Sequence, residues 1–467
     1  MDSSDEVEHG EAERAAERAA AVFEALDTHD PRGRASLMYR MAAALENGRG
    51  PIVATAVSET SLNQARLEGE LDRTAAQLRI YADALVGLVE AEEARMVADE
   101  APTIVRTMSG IGPVANLEAS NFPLAFGALG TDTASAFAAG CPVVVKTHPA
   151  HPRTSELCVA IAEDVLAGVG LGSAISLVHG GVEVARRLVL AEPVAAVTFT
   201  GSPSGGRALI DLAASRTRPI PVYAEMGSIN PIIVTEGALA ESECSGLARL
   251  IVDSVTGSAG QLCTKPGIVF VPMSPRGDDL VSEIEEALSS TGPFEFIDER
   301  IASRFEDRTR EVAQFAGRVR RDGGTQGAWL FEDTLGERQM IPHELVGEIF
   351  GPASVVIRYS ALSQVVEVLE VLGGQLAIAL HATESEGPMA SHLAGRLLRF
   401  AGRIVWCGVP TGVAVVEAMH HGGPWPASNS IIGSVGPEAI RRFRRSVTWQ
   451  GFPASAMPRH LRPGDRS

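Results

Sequence analysis

Lysine is nearly absent from this chain. Of its 40 basic residues, 38 are arginine, and only Lys146 and Lys265 break the pattern. Codon bias can skew a protein toward arginine, but it does not explain two places where a compact ammonium replaces the larger planar fork. Positive stripes are missing as well. The net charge is -18, which argues against nucleic acid as a partner, because that binding needs basic surface to displace counterions. The short basic run "IRRFRRS", Ile440 to Ser446, reads as an exposed helix face. No apolar run approaches the roughly 18 to 20 residues of a membrane span, so a soluble protein without a membrane partner is expected. The acidic start "MDSSDEVEHGEAERAAERAA" lacks the basic-then-apolar order of a secretory signal. Five scattered cysteines, Cys141, Cys158, Cys244, Cys263 and Cys407, make a poor disulfide framework, which suits a reducing, cytoplasmic compartment.

What is present is enough chain for two lobes. At 467 residues the protein exceeds the size at which one core keeps growing. Apolar residues recur at helical spacing from Glu11 to about Glu90, as in "ASLMYRMAAAL" and "TAAQLRIYADALVGLV". Short β-branched pieces around a proline, Ala94 to Gly110, then predict a hairpin or extended arm. Beyond it, apolar strands such as "CPVVVKTH", "AISLVHG" and "VAAVTFTG" alternate with amphipathic helices, the pattern of βαβ units around a parallel sheet buried on both faces. A second alternating series starts near Asn230, with "ALAESECSGLARLIVDSVTG" read as one helix. The tail "SVTWQGFPASAMP" reads as extended and able to pair with an edge strand.

Several residues stand out for chemistry. Cys263 lies in "VTGSAGQLCTKPG" among small polar residues that let a backbone come close to something else. From that window alone it is a packed thiol, a metal ligand or a nucleophile. "VTFTGSPSGGRALI" ends a strand, turns through Gly201, Gly205 and Gly206, and opens a helix, which suits a pyrophosphate or a plain tight turn. Lys146 closes a strand at the edge where open α/β sheets bind ligands. Asn121, Glu225 and Glu348 each sit in an apolar or glycine-rich frame near a strand end, as a cap, a salt-bridge partner or a functional group. With Cys263 they supply a nucleophile, a possible base, a neutral donor and a second carboxylate, the inventory of acyl chemistry. His148, His151, His420 and His421 lack cysteine or carboxylate partners at ligand spacing, so ring packing and loop hydrogen bonds are expected of them, and no metal.

The ordered set "SNFPLAF", "VVVKTHPAHPRTSE", "FTGSPSGG", "AEMGSINP", "GQLCTKPG", "GEIFGPA" and "PTGVAVVEAMHHGGPWPASN" resembles the NAD(P)-dependent aldehyde dehydrogenase superfamily, over roughly Ala20 to Arg462. It is most similar to the α-ketoglutarate semialdehyde (2,5-dioxovalerate) dehydrogenase branch, whose departure at Ser120, where a tryptophan is usual, it shares. The resemblance implies an α/β fold of two doubly wound parallel-sheet lobes plus a small β oligomerisation arm. The expected division is N-terminal helices over 1–93, arm 94–108, cofactor domain 109–226, catalytic domain 227–420, a return to the cofactor domain over 421–445, and an oligomerisation strand and tail over 446–467, with a homodimer as the assembly.

For the site, the resemblance implies Cys263 as nucleophile, Asn121 as oxyanion donor and Glu225 as the base that activates water. It places Lys146, with His148 and Pro149, at the adenosine ribose, Gly201, Ser202 and Gly206 at the pyrophosphate, and Glu348 with Phe350 at the nicotinamide end. NAD-preferring relatives commonly carry a glutamate where Pro149 stands. Its loss removes repulsion against a 2′-phosphate, with Arg153, Arg186 and Arg187 as sources of positive charge, so NADP is expected over NAD. The function expected is oxidation of an aldehyde, a semialdehyde such as 2,5-dioxopentanoate or an aliphatic one, to its acid through a thioester. A CoA-acylating dehydrogenase and a silent scaffold of the same fold are the alternatives, against which stand Glu225 in the first case and the retained Cys263 and Asn121 in the second. Lys265 has no assigned role.

Overall fold

The computed structural model describes residues 3–92, 94–98, 101–321, 327–335 and 341–458. Residues 99, 100 and 459–467 of the expected arm and tail, Arg462 among them, lie outside the described residues. The chain divides into two compact units, residues 1–224, 415–419 and 432–467, and residues 225–414 and 420–431.

The first unit opens on four helices, α1 (Ser3–Asp27), α2 (Pro31–Asn47), α3 (Arg49–Thr60) and α4 (Gln64–Glu92). Local chemistry sets the start of α2, where the Asp30 carboxylate accepts the Gly33 N–H and Pro31 occupies the first turn. Leu37, Met41 and Leu45 recur every four residues and are buried beside Met38, packing α2 on α4, where Leu71, Ala75, Leu78, Ala82 and Leu85 recur every three or four.

Its sheet has five strands, β3 (Val114–Leu117), β4 (Val143–Lys146), β5 (Ile175–Val178), β6 (Ala196–Gly201) and β7 (Val222–Met226), in the order β5-β4-β3-β6-β7. Helices α5 (Thr131–Ala138), α6 (Pro152–Ala167), α7 (Val182–Leu190) and α8 (Pro203–Ala214) separate them. Strand order reverses at β3, which pairs in parallel with both β4 and β6. Such a switch point opens a crevice at the carboxyl ends of the strands.

The stretch read as a hairpin or extended arm pairs as strands. β1 (Ala94–Ala98) and β2 (Ala101–Gly110) pair antiparallel, and the tail strand β15 (Arg444–Gln450) completes a three-stranded sheet on β2. Trp449 Nε1 donates to Thr107 Oγ1 at 2.9 Å.

The reading of "IRRFRRS" as an exposed helix face is wrong. Residues 437–443 form a 3₁₀ turn in which Ile440, Arg442 and Phe443 are buried, and β15 follows directly. Arg442 Nη2 donates to Asp132 Oδ1 at 2.6 Å, in the first turn of α5. A long-range partner has drawn one arginine of the run inward. Removing one member of such a pair strands the other charge in the core, at a cost of about 3–5 kcal/mol. Arg442→Ala should therefore lower the urea midpoint of the first unit, and an unchanged midpoint would assign the pair no structural weight.

The second unit is built on a seven-stranded sheet, β10-β11-β12-β9-β8-β13-β14. Its strands are β8 (Ile232–Val234), β9 (Ile268–Pro272), β10 (Arg318–Arg321), β11 (Trp329–Thr334), β12 (Ala353–Tyr359), β13 (Gln375–His381) and β14 (Ala401–Trp406). All pairs are parallel except the edge pair of β10 and β11. Because side chains alternate along a strand, Ile268, Phe270, Val355 and Ile357 enter one core while Val269, Val271 and Val356 enter the other. The flanking helices are α9 (Glu236–Glu241), α10 (Cys244–Thr256), α11 (Pro275–Ser289), α12 (Glu299–Val312), α13 (Leu362–Leu372) and α14 (Gly387–Leu397). The stretch expected as one helix is thus two, divided at Ser242, which leaves the helical region at φ -102°, ψ 153°.

Candidate active site

In the first unit the carboxyl ends of β4 and β6 carry most of the expected cofactor residues. Lys146 ends β4 and is buried. Beyond it the chain turns around a carboxylate that the sequence did not flag. Glu118 accepts the His148 N–H at 2.8 Å and the Ser155 hydroxyl at 2.9 Å, with His151 Nδ1 3.9 Å away. Burial pushes the Glu118 carboxyl up, against the pull of His151 and Lys146. The His148 and His151 rings stack at 5.5 Å, and His151 Nε2 meets the Ala119 carbonyl at 2.8 Å. Pro149 is exposed.

At β6, Gly201 and Ser202 are exposed and Gly206 is buried. Ser202 caps α8 by accepting the Gly205 N–H at 3.2 Å. The exposed Ser204 amide has no protein partner among the described residues. An open N–H at the start of a 12-residue helix, on the same sheet edge as the Lys146 ammonium that ends β4, fits the phosphates of a dinucleotide. Arg186 lies on α7 and pairs with Glu183 at 3.6 Å, while Arg187 reaches Glu13 at 3.4 Å. The Arg153 side chain is exposed, and its N–H donates to Glu59.

Asn121 is buried in the loop after β3. Helix α4 holds that loop: Arg66 Nη2 donates to the Asn121 carbonyl at 2.6 Å, and Glu70 Oε1 accepts the Leu124 and Ala125 amides at 2.8 and 3.0 Å.

In the second unit, Cys263 is half-buried in the turn between α10 and β9. Its main chain is tied down by Asn230, whose Nδ2 donates to the carbonyls of Cys263 at 2.7 Å and Lys265 at 3.1 Å. The same side chain accepts the Ala377 N–H at 3.2 Å. Asn230 itself adopts φ +50°, a region asparagine enters more readily than most residues. The Cys263 sulfur meets His421 Nε2 at 3.8 Å, and that nitrogen lies 3.3 Å from Glu225 Oε2. Cysteine, imidazole and carboxylate thus converge on one ring nitrogen. Burial pulls the Arg403 guanidinium down, and charge on the Cys263 sulfur opposes that pull.

Close backbone contacts place His421. Gly402 in β14 and Gly374 before β13 lie where a Cβ would overlap the carbonyls of Gly422 and Pro424. On the other side, Glu225 bridges to Ser428, and the Met226 N–H donates to the Ala427 carbonyl at 2.8 Å.

Glu348 and Lys265 form a further couple. Lys265 is 3% exposed and its Nζ donates to the Ala353 carbonyl at 2.7 Å. The Glu348 carboxylate closes over Gly227, where a Cβ would collide with it. Burial pushes Glu348 up and Lys265 down, each moderated by the other's charge. Phe350 is half-buried two residues on.

The structure therefore gathers Cys263 and Glu225 in the second unit and Lys146, Gly201, Ser202 and Gly206 along one sheet edge in the first. Sequence reasoning missed Glu118, Asn230, Arg66 and Glu70, and read His421 as a packing residue. The pairing of His421 with Gly422-Gly423 inside a quoted motif was the available signal.

Comparison with known proteins identifies the family. The profile of the aldehyde dehydrogenase family matches residues 3–383. Alpha-ketoglutaric semialdehyde dehydrogenase 2 of Azospirillum brasilense is 38% identical, over 96% of this chain and 88% of its own. The alpha-ketoglutaric semialdehyde dehydrogenase of Acinetobacter baylyi is 34% identical, over 97% and 89%. A solved bifunctional proline utilization A protein superposes with TM-score 0.83 at 25% identity, covering 95% of this chain while the chain spans 45% of that protein.

Proposed function

The chain belongs to the aldehyde dehydrogenase family and is an NAD(P)-dependent oxidoreductase that turns an aldehyde into its acid; from that premise we propose that its substrate is a semialdehyde of the 2,5-dioxopentanoate kind, oxidised with NADP. The observation that carries the chemistry is the convergence of Cys263, His421 and Glu225. Cys263, as thiolate, adds to the aldehyde carbon. The Asn121 amide donates to the oxyanion, a contribution of about 3–4 kcal/mol for such a donor elsewhere. Bound NAD(P) supplies the hydride acceptor. Glu225 then takes a proton from the water that cleaves the thioester. The dinucleotide is held by Lys146, by Ser202 and the α8 amides, with His148 and Pro149 beside the ribose and Glu348 and Phe350 toward the nicotinamide.

The preference for NADP is supported by the exposed Pro149, which leaves no carboxylate at that position to repel a 2′-phosphate. The semialdehyde is supported by the two relatives that bear that name. The β1–β2–β15 sheet serves as the arm of a homodimer, and a cytoplasmic setting suits five cysteines that form no disulfide.

One kinetic panel tests these points together. kcat/KM should be higher for 2,5-dioxopentanoate than for pentanal and higher with NADP than with NAD, and free acid should appear without added CoA. A requirement for CoA would make the chain an acylating enzyme, and a clear NAD preference would overturn the role given to Pro149.

A further inference from the structure

We propose that His421 is the proton acceptor of Cys263, with Glu225 as the anion that holds the resulting imidazolium. The proposal rests on Cys263 being the nucleophile. A single ring nitrogen, Nε2, stands 3.8 Å from the Cys263 sulfur and 3.3 Å from Glu225 Oε2. His421 is 5% exposed and Glu225 6%, so the three groups meet largely out of water, where opposite charges stabilise each other strongly.

The step balances simply. The S–H bond breaks, its proton bonds to Nε2, and the sulfur keeps the electron pair. The new N–H then lies between two anions, thiolate and carboxylate. A neutral ring offers the pair only the dipole of an N–H, whereas the cation brings a full positive charge to both anions. Arg403, whose charge also reaches the sulfur, adds to the field that favours thiolate. The placement is rigid, because main-chain contacts at Gly402 and Gly374 fix the segment that carries the ring. Cysteine reactivity follows the fraction of thiolate, so this arrangement sets how fast the sulfur attacks.

The test is alkylation of Cys263 by iodoacetamide, followed peptide by peptide so that the exposed Cys407 is counted separately. In the wild-type enzyme the rate should titrate well below the ordinary thiol value of about 8.5. In His421→Gln, which keeps a hydrogen bond but not the proton affinity, and in His421→Phe, which keeps only the ring, the profile should move to higher pH. The rate at pH 7 should fall by about threefold or more, since a one-unit rise in thiol pKa from near 6.5 to near 7.5 cuts the thiolate fraction by that much and larger rises cut it further. The groups facing the ring and sulfur in that titration are Glu225 on β7, Arg403 on β14 and Cys263 itself. Folded variants that alkylate within about twofold of wild type would overturn the proposal. So would a wild-type Cys263 that titrates as an ordinary thiol, a result that needs no variant to fold. Alkylation uses neither aldehyde nor cofactor. A low-titrating thiol in a protein that oxidises no aldehyde would therefore sink the functional reading and leave this one standing.

Discussion

Cys263→Ala yields a folded protein that forms no reduced cofactor from aldehyde. The expected loss is on the order of 10⁴-fold or more, because without the sulfur no covalent route to the acid remains. Stability should hardly change, since the side chain is only half-buried and Asn230 holds the turn through its main chain. Circular dichroism and the melting temperature check that point, and absorbance of the reduced nicotinamide checks the first. Retained turnover in this variant would move the nucleophile elsewhere.

Glu225→Gln has the next largest effect, and its signature is in the time course. Steady-state kcat should fall by roughly 10²–10⁴-fold, the usual contribution of a positioned general base. The first turnover, though slower, still delivers one reduced cofactor per active site, because the thioester forms before water is needed. Rapid mixing separates the two phases. Abolition of the first turnover along with the later ones would assign Glu225 entirely to activating the thiol.

Those residues were legible in the sequence because their chemistry is local. A cysteine among glycines and threonines, a lysine closing an apolar strand and a glycine turn opening a helix each announce themselves within about ten residues. Strand alternation and the extended character of the tail were legible for the same reason. What the sequence hid depends on partners far apart in the chain. His421 is 158 residues from Cys263, and Arg442 is 310 residues from Asp132. Asn230 gathers carbonyls 33 and 35 residues away with an amide 147 residues away. No periodicity reveals such pairs, and an arginine run looks the same whether or not one member is drawn inward. The helix divided at Ser242 was misread because its apolar spacing continues across a residue whose backbone is extended.

The scarcity of lysine acquires a sharper meaning at position 265. Two shifts of opposite sense bring the Lys265 ammonium and the Glu348 carboxyl toward a common titration range. Each group's charge opposes the shift that burial imposes on the other. Arginine would lock that balance, since a guanidinium keeps its proton.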